Sequence, residues 1–216
     1  MIKIQNNNQN FSQGNNYLFN IVKPDDDDYI LLLNNDVIFN DTQSLQKMIH
    51  LFEKENNVGI VGAKLKFSGT NKLQHAGVVF SERTRKLPFH YRSGEVDDKF
   101  SSKNREFQVV TGAVLLTQAK YYKNIYTDNK SGINGMDEDF VWSFDDVDLC
   151  LSIKYNQNKR VLYCGETDIF HEESVTLKKN PANKLFMPHN MRRILTKWGN
   201  KYELDAEKYN NKYNII

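Results

Sequence analysis

Short apolar runs alternate with amphipathic stretches along much of this chain. Residues 29–33 (Tyr-Ile-Leu-Leu-Leu) and 58–62 (Val-Gly-Ile-Val-Gly) form two such runs. Residues 44–55, between them, carry apolar side chains at helical spacing. We therefore predict a strand, a helix and a second strand, which together make a βαβ unit. The first strand has the continuous apolar pattern of a strand buried on both faces, as in a parallel sheet.

The rest of the chain continues this alternation, which predicts an α/β fold. We predict strands at residues 77–80, 107–116 and 160–163, and helices at residues 118–124 and 145–156. Residues 81–104 are polar and lack periodicity, so we expect a long unstructured loop of the kind that closes over ligands. From residue 181 onward the apolar positions again follow helical spacing.

Composition narrows the class of protein. A length of 216 residues suits one domain, and 39% hydrophobic with 12% aromatic residues indicates a folded chain. No apolar run reaches the ~20 residues of a membrane span, and the first residues lack the apolar core of a signal peptide. The two cysteines give neither a disulfide framework nor zinc-ligand spacing. We therefore expect a cytoplasmic protein, and a net charge of +2 gives no reason to expect nucleic-acid binding.

Positive charge is concentrated near the end of the sequence. Between Lys178 and Ile216 there are nine Lys/Arg and three Asp/Glu. Such a stretch can meet phosphate groups or the inner face of an anionic membrane, or it can be a solvated helical face. We divide the chain into a domain at residues 1–176 and a basic helical tail at residues 177–216 that packs on it.

Three polar clusters follow predicted strands or begin predicted helices. Residues 34–36 (Asn-Asn-Asp) end the first strand, where α/β proteins bind ligands; a carboxylate there suits a divalent cation, although the triplet is also ordinary turn chemistry. Residues 145–148 (Asp-Asp-Val-Asp) begin a helix, where one Asp can cap the helix and another can act as a general base. His171 follows the last strand and can bind a metal, although a single histidine is more often structural.

The order of these clusters resembles that of glycosyltransferase family 2, which has the GT-A fold. The matching segments are residues 8–16, 33–36, 62–65, 74–79, 90–92, 110–113, 136–140, 145–150 and His171. Several of them resemble a rhamnosyltransferase-like subgroup that makes bacterial surface polysaccharides. The resemblance implies a GT-A-like mixed sheet flanked by helices.

The resemblance also implies individual roles. Asp36 would hold Mn²⁺ or Mg²⁺ against the diphosphate of a nucleoside diphosphate sugar, with His171 as a further ligand, and Asp146 would be the catalytic base. The residues implied in donor binding are Asn34, Asn35, Asp36, Thr111 and Gly112. The reaction would be transfer, with inversion, to a hydroxyl of a saccharide or lipid-linked acceptor, in the cytoplasm or at the inner face of the membrane.

One departure from the family leaves alternatives open. Family members begin with an apolar strand and nucleobase-binding segments that this sequence lacks, so we expect an N-terminally truncated GT-A-like domain. A non-catalytic remnant that binds carbohydrate or a partner is the alternative. A metal-dependent phosphohydrolase is a third hypothesis, which would require closely spaced carboxylates for two metal ions.

Overall fold

The computed structural model describes residues 10–172, 185–210 and 216. The strands are β1 (Tyr29–Leu33), β2 (Val37–Phe39), β3 (Val58–Phe67), β4 (Leu73–His75), β5 (Val78–Phe80), β6 (Pro88–His90), β7 (Arg105–Phe107), β8 (Val114–Gln118) and β9 (Arg160–His171). The helices are α1 (Phe11–Val22), α2 (Ser44–Lys54), α3 (Ala119–Lys123), α4 (Asp145–Leu151) and α5 (Met187–Trp198). A π-helical turn, Ser152–Asn156, extends α4. Among the described helices, none has the length and apolar character needed to cross a membrane.

A mixed sheet of seven strands organises the fold. Its order is β1-β8-β3-β9-β2, with β4 beside β3 and β7 beside β9. β3 and β9 are parallel, and the other described pairings in this sheet are antiparallel. β5 and β6 form a separate two-stranded sheet. The predicted α/β class is confirmed.

Helices cover both faces of the central strands. Side chains alternate along a strand, so Ile60 and Leu115 join the apolar cluster that contains residues of α4 and α5, whereas Val61 and Leu116 join the cluster under α2. All four side chains are almost completely buried. The sheet is therefore the middle layer, and its strand ends are the surfaces left for a site.

The edge position of β1 corrects the predicted βαβ unit. β1 and β3 run in the same direction, but β8 lies between them and is antiparallel to both. β1 therefore lies at the edge of the described sheet, and Leu32 is its one fully buried residue. The expectation of a strand buried on both faces is wrong for β1, whereas it holds for β3, which is buried from Val58 to Leu65.

The structure corrects three further predictions from the sequence. The connection at residues 81–104 is not unstructured, because β6 pairs with β5 and Arg92 donates two hydrogen bonds of 2.9 Å to the carboxylate of Asp98. The strand expected at residues 107–116 is two strands, because β7 pairs with β9 while β8 pairs with β1 and β3. The strand expected at residues 160–163 continues as β9 to His171.

Helix α1 has no counterpart in the sequence prediction. Asn10 caps it: the Asn10 Oδ1 accepts from the Gln13 N–H at 2.8 Å, and the Gln13 Oε1 accepts from the Asn10 N–H at 3.2 Å. The buried Asn16 donates to the Met136 carbonyl at 2.8 Å. Polar contacts thus fix the first turns of α1, and apolar periodicity does not reveal them.

Candidate functional site

The turn between β1 and β2 meets the end of β9. Because Val37 pairs with His171, the adjacent Asp36 lies beside that histidine. The His171 Nε2 is 3.0 Å from the Asp36 Oδ1 and 3.2 Å from the Asn34 Nδ2. Two residues separated by 135 positions are therefore brought together. Asn35 is exposed on the same turn and lies outside this group of hydrogen-bonded side chains.

Asp146 is held by backbone donors at the start of α4. Its Oδ2 accepts from the Gly112 N–H and its Oδ1 accepts from the Val147 N–H, each at 2.8 Å. The preceding backbone is strained, since Ser143 and Phe144 have φ angles of 74° and 65°, in the left-handed region that side chains disfavour. The carboxylate is thus placed by neighbouring backbone instead of by a flexible loop.

One tripeptide, Thr111 to Ala113, connects the two halves of the site. The Gly112 N–H contacts Asp146, and the Ala113 carbonyl accepts from the Asn34 N–H at 2.9 Å. The Thr111 N–H donates to the His75 Nε2 at 3.2 Å. The segment that carries the predicted residues Thr111 and Gly112 therefore lies between Asp146 and the turn that carries Asp36.

His75 has a structural position behind this tripeptide. It is fully buried, and its Nδ1 lies 2.9 Å from the Ala63 carbonyl oxygen. Burial, and then the neighbouring His90, lower the pKa of His75 well below its usual value. A neutral ring that donates from Nδ1 and accepts at Nε2 satisfies both of its hydrogen bonds.

The carboxylates at the start of α4 have different electrostatic environments. Burial, and then the neighbouring Asp146 carboxylate, raise the pKa of Asp145 to about 7. Burial also raises the pKa of Asp148, against the opposing effect of Lys197. Adjacent carboxylates repel each other when both are ionised, and here that repulsion contributes to the raised pKa of Asp145.

Helix α5 uses basic side chains inside the protein. Arg193 donates to both carboxylate oxygens of Asp137 at 2.7–3.0 Å. Lys197 and Trp198 donate to the fully buried Asp148 at 2.9 and 2.6 Å. These two cations of the predicted basic tail are paired with the domain. Membrane contact through the tail stays a prediction, and residues 177–184 and 211–215 of the tail lie outside the described residues.

Asp36 and His171 are suitable ligands for one divalent cation. They offer a carboxylate oxygen and an imidazole nitrogen, and their side chains are 23% and 12% exposed. No group of three or more His, Cys, Asp or Glu that could hold an ion occurs within the described ranges. Two protein ligands leave positions for phosphate oxygens and water, as Mg²⁺ sites on nucleotide substrates do. The donor set fits a cation shared with a substrate, not a closed structural metal site.

Two surface clefts lie elsewhere. One of about 300 Å³ lies between the start of α1 and the segment before α4, and another of about 420 Å³ runs along α2. Neither is lined by Asp36, His171 or Asp146. We therefore base the candidate site on the hydrogen-bonded residues at the strand ends.

Sequence patterns do not reveal several residues that support this site. Gln74 contacts His171 from β4, and Asn190 of α5 donates to the Trp142 and Ser143 carbonyls at 2.5 and 3.2 Å. Gln74 does lie in a segment that resembles the family, but no spacing or periodicity connects it with His171. These contacts join distant parts of the chain, so the folded structure is needed to find them.

The sheet, the flanking helices and the polar strand ends are consistent with a GT-A-like glycosyltransferase fold. The sequence profile described as "Glycosyltransferase like family" matches residues 1–174. The chain therefore belongs to this glycosyltransferase-like family, and membership supports glycosyl transfer as its general activity. A comparison with curated proteins finds no match.

Proposed function

We propose that this protein transfers a sugar from a nucleoside diphosphate sugar to a hydroxyl of a saccharide or lipid-linked acceptor, with inversion at the anomeric carbon. The supporting observation is the Thr111–Ala113 connection, which joins a candidate base, Asp146, to the Asn34, Asp36 and His171 group. The sequence resemblance favours surface polysaccharide or glycoconjugate synthesis as the setting.

Asp146 is the proposed base. Hydrogen bonds from the Gly112 and Val147 N–H groups fix its orientation. Each carboxylate oxygen keeps a lone pair that can take the proton of an acceptor hydroxyl. Proton removal by such a base typically accelerates a reaction by about 10²–10⁴-fold. Asp145, whose pKa burial and the neighbouring carboxylate raise to about 7, is the less suitable base of the two adjacent carboxylates.

Asp36 and His171 are the proposed ligands of Mn²⁺ or Mg²⁺. When bound, the cation supplies positive charge that stabilises the departing diphosphate. Asn34 and Asn35 extend from the same turn, where we propose that they contact the nucleotide. We propose that Thr111 and Gly112 border the bound sugar, because their tripeptide connects this turn to the base.

Replacement of Asp146 by Asn tests the proposal, because it keeps the size of the side chain and removes its basicity. We expect kcat for transfer to fall at least about a hundredfold, while calorimetric binding of the donor stays unchanged. The donor is first selected from a panel of UDP-, GDP- and dTDP-sugars with Mn²⁺. Asp128→Asn, at an exposed position, is the matched control and should keep full activity.

Two outcomes would contradict the proposed function. Near-normal turnover of Asp146→Asn would remove Asp146 as the base. A wild-type chain that binds saccharides but neither transfers nor hydrolyses any donor would support the non-catalytic binding domain instead.

A further inference from the structure

The cleft between the start of α1 and the segment before α4 has a polar lining. Its volume is about 300 Å³, and it is lined by Asn10, Gln13, Lys130, Glu138, Asp139 and Val141. Small-molecule sites typically start at about this volume, and a few placed polar groups give them their specificity. The proposed function assigns no role to any of these residues.

Glu138 presents a carboxylate oxygen to this cleft. The residue is 8% exposed, whereas Lys130 and Asp139 are exposed. The Glu138 Oε1 accepts hydrogen bonds from the Asn16 Nδ2 at 3.0 Å and from the Ser131 Oγ at 2.8 Å. Its Oε2 accepts none from any residue in the described part of the chain. A polar group largely withdrawn from water costs free energy until a donor satisfies it, so this oxygen is a binding point for a ligand.

Asn16 fixes the direction of that carboxylate. It is completely buried, and its Oδ1 accepts from the Met136 N–H at 2.9 Å and from the Tyr122 hydroxyl at 2.8 Å. Because only the amide oxygen can face the Met136 N–H, the amide nitrogen must face Glu138. The Glu138 N–H in turn donates to the Asn129 Oδ1 at 2.9 Å. The carboxylate is therefore held in place before any ligand binds, which lowers the entropy that binding costs.

Gln13 adds hydrogen-bond donors to the same cleft. Its Oε1 accepts from the Asn10 N–H at 3.2 Å in the cap of α1. Its Nε2 is therefore the end of the amide that is left for a ligand. A ligand here meets a carboxylate acceptor and amide donors together, and a hydroxyl group, which both donates and accepts, suits both.

Opposite charges nearly balance around the cleft. Asp139 pairs with Arg193 at 3.3 Å, and Lys130 carries the charge opposite to that of Glu138. The Glu138 carboxylate would repel a phosphate group placed against it. A ring that carries several hydroxyls and no charge therefore fits this lining better than a nucleotide does.

We propose that this cleft binds an uncharged sugar ring, with the Glu138 Oε2 accepting from its hydroxyls and the Gln13 Nε2 donating to them. Val141, which is 37% exposed, offers apolar surface to the C–H groups of the ring. The chain runs on from Val141 to the proposed base, Asp146, in the first turn of α4. The inference rests on the proposed function for the source of the ring, which is either the donor sugar or the acceptor saccharide.

A purely structural role for Glu138 is the competing explanation. Hydrogen bonds of 2.8 Å already attach this segment to α1, from the Asn10 Nδ2 to the Glu138 carbonyl and from the Asn16 Nδ2 to the Met136 carbonyl. The structural explanation needs only the Oε1 of Glu138, whereas sugar binding also uses its Oε2. Glu138→Gln separates the two, because its amide oxygen can keep the Asn16 and Ser131 hydrogen bonds while an NH₂ group replaces the Oε2.

NMR titration with methyl glycosides tests binding without a nucleotide or a metal. The probes are the methyl glycosides of glucose, galactose, mannose, rhamnose and N-acetylglucosamine. For at least one of them we expect shifts at the Gln13 side-chain amide and at the Glu138 N–H. In Glu138→Gln the Kd for that glycoside should rise at least about tenfold, because a charged acceptor is lost. The thermal midpoint of the variant should stay near that of the wild type.

Glu53→Gln is the matched control, because it makes the same change at an exposed position of α2. It should leave the Kd unchanged. Gln13→Met removes the amide donors and keeps the length of the side chain, so it should also raise the Kd. If Glu138→Gln does not fold, the wild-type spectra and Gln13→Met decide.

Steady-state kinetics assign the ring to one of the two substrates. A higher KM for the acceptor in Glu138→Gln, with an unchanged KM for the donor, assigns it to the acceptor saccharide. The reverse result assigns it to the donor sugar. A variant that leaves both KM values unchanged would overturn a role of the cleft in transfer.

Three binding results would overturn the sugar site itself. They are the absence of shifts with every glycoside at tens of millimolar, shifts confined to the other cleft along α2, and wild-type affinity in Glu138→Gln. Preference for methyl glucuronide, which carries a carboxylate, would overturn the uncharged ligand. A chain that transfers no sugar but binds a glycoside in this cleft would contradict the proposed function and keep the sugar site, so the two failures are distinguishable.

Discussion

Glycine at position 112 allows the Asp146 carboxylate to reach the backbone. A Cβ atom added there would lie 2.9 Å from the Asp146 Cβ, closer than side-chain carbons normally come. We expect Gly112→Ala to displace Asp146 and lower kcat by about a hundredfold, the effect that a 1 Å misplacement can have. Steady-state kinetics measure this, and wild-type kcat in the variant would contradict the proposed placement of the base.

Gly14→Ala is the matched control for that substitution. Gly14 lies in α1, and nothing lies within 4 Å of an added Cβ. Because alanine is the better helix former, the variant should gain up to about 1 kcal/mol in free energy of unfolding. Its kcat should equal that of the wild type. Thermal unfolding of both variants separates a local clash from a general effect of adding a methyl group.

The raised pKa of Asp145 predicts a pH dependence of stability. Burial and the Asp146 charge raise this pKa to about 7, whereas an unfolded Asp has a pKa of about 4. Between these values the folded state binds more protons, so the free energy of unfolding falls as pH rises. In Asp145→Asn this loss disappears, and the variant's stability relative to wild type should increase from pH 4 to 7 and then level off. Urea denaturation at a series of pH values measures the free energy of unfolding of both proteins. A difference between them that is the same at every pH would contradict the raised pKa of Asp145.

At the residue scale, the sequence predicts the residues that would carry out the chemistry. It does not predict the residues that hold them in place. Asp36 and His171 are found from their order along the chain, and the structure brings them within 3.0 Å of each other. The hydrogen bonds of Gln74 and His75 are absent from the prediction, because each joins residues that no local spacing relates. The role of Asp146 stays a prediction, although the Gly112 N–H holds its carboxylate beside the tripeptide that also contacts the Asn34 backbone.

The contact between α5 and α4 depends on one buried charge. Asp148 is fully buried, and its donors are Lys197 and Trp198. Lys197→Met should lower the free energy of unfolding by about 3 kcal/mol, because it leaves a buried carboxylate with too few donors. Adding Asp148→Asn should recover much of this loss.

Denaturant unfolding of the two variants and a control measures this coupling. Arg192→Met changes an exposed cation on the same helix and should alter stability by less than about 0.5 kcal/mol. A double variant as unstable as Lys197→Met would show that Lys197 acts through packing or through Asp137, to which its Nζ also donates at 3.1 Å, and not through Asp148.

At the element scale, apolar patterns predict α2 because it buries one helical face, and they predict β3 and the start of α4 because these segments are buried almost continuously. They do not predict α1, which is capped locally by Asn10 and whose buried Asn16 donates to the distant Met136 carbonyl. Nor do they divide β7 from β8, since the apolar run that begins at Phe107 continues into β8 and the two strands are distinguished by their pairing partners.

At the scale of the whole molecule, the sequence predicts the class of the fold but not its strand order. The insertion of β8 between β1 and β3 depends on antiparallel pairing with residues far along the chain. Net charge likewise does not show that Arg193 and Lys197 pair with Asp137 and Asp148 within the protein. Strand order and these ion pairs both depend on which distant segments pack together in the folded protein. Local sequence patterns contain no information on such contacts.

The parallel pairing of β3 with β9 also bears on the order in which the molecule folds. The hydrogen bond from the Lys64 N–H to Thr167 spans 103 positions, and the Asp36–His171 contact spans 135. Contacts between such distant residues require closing a long loop first, which costs chain entropy and slows folding. During synthesis the turn that carries Asp36 leaves the ribosome well before β9 exists. The two proposed cation ligands therefore meet only after most of the domain has been made, and an incomplete chain has no such pair.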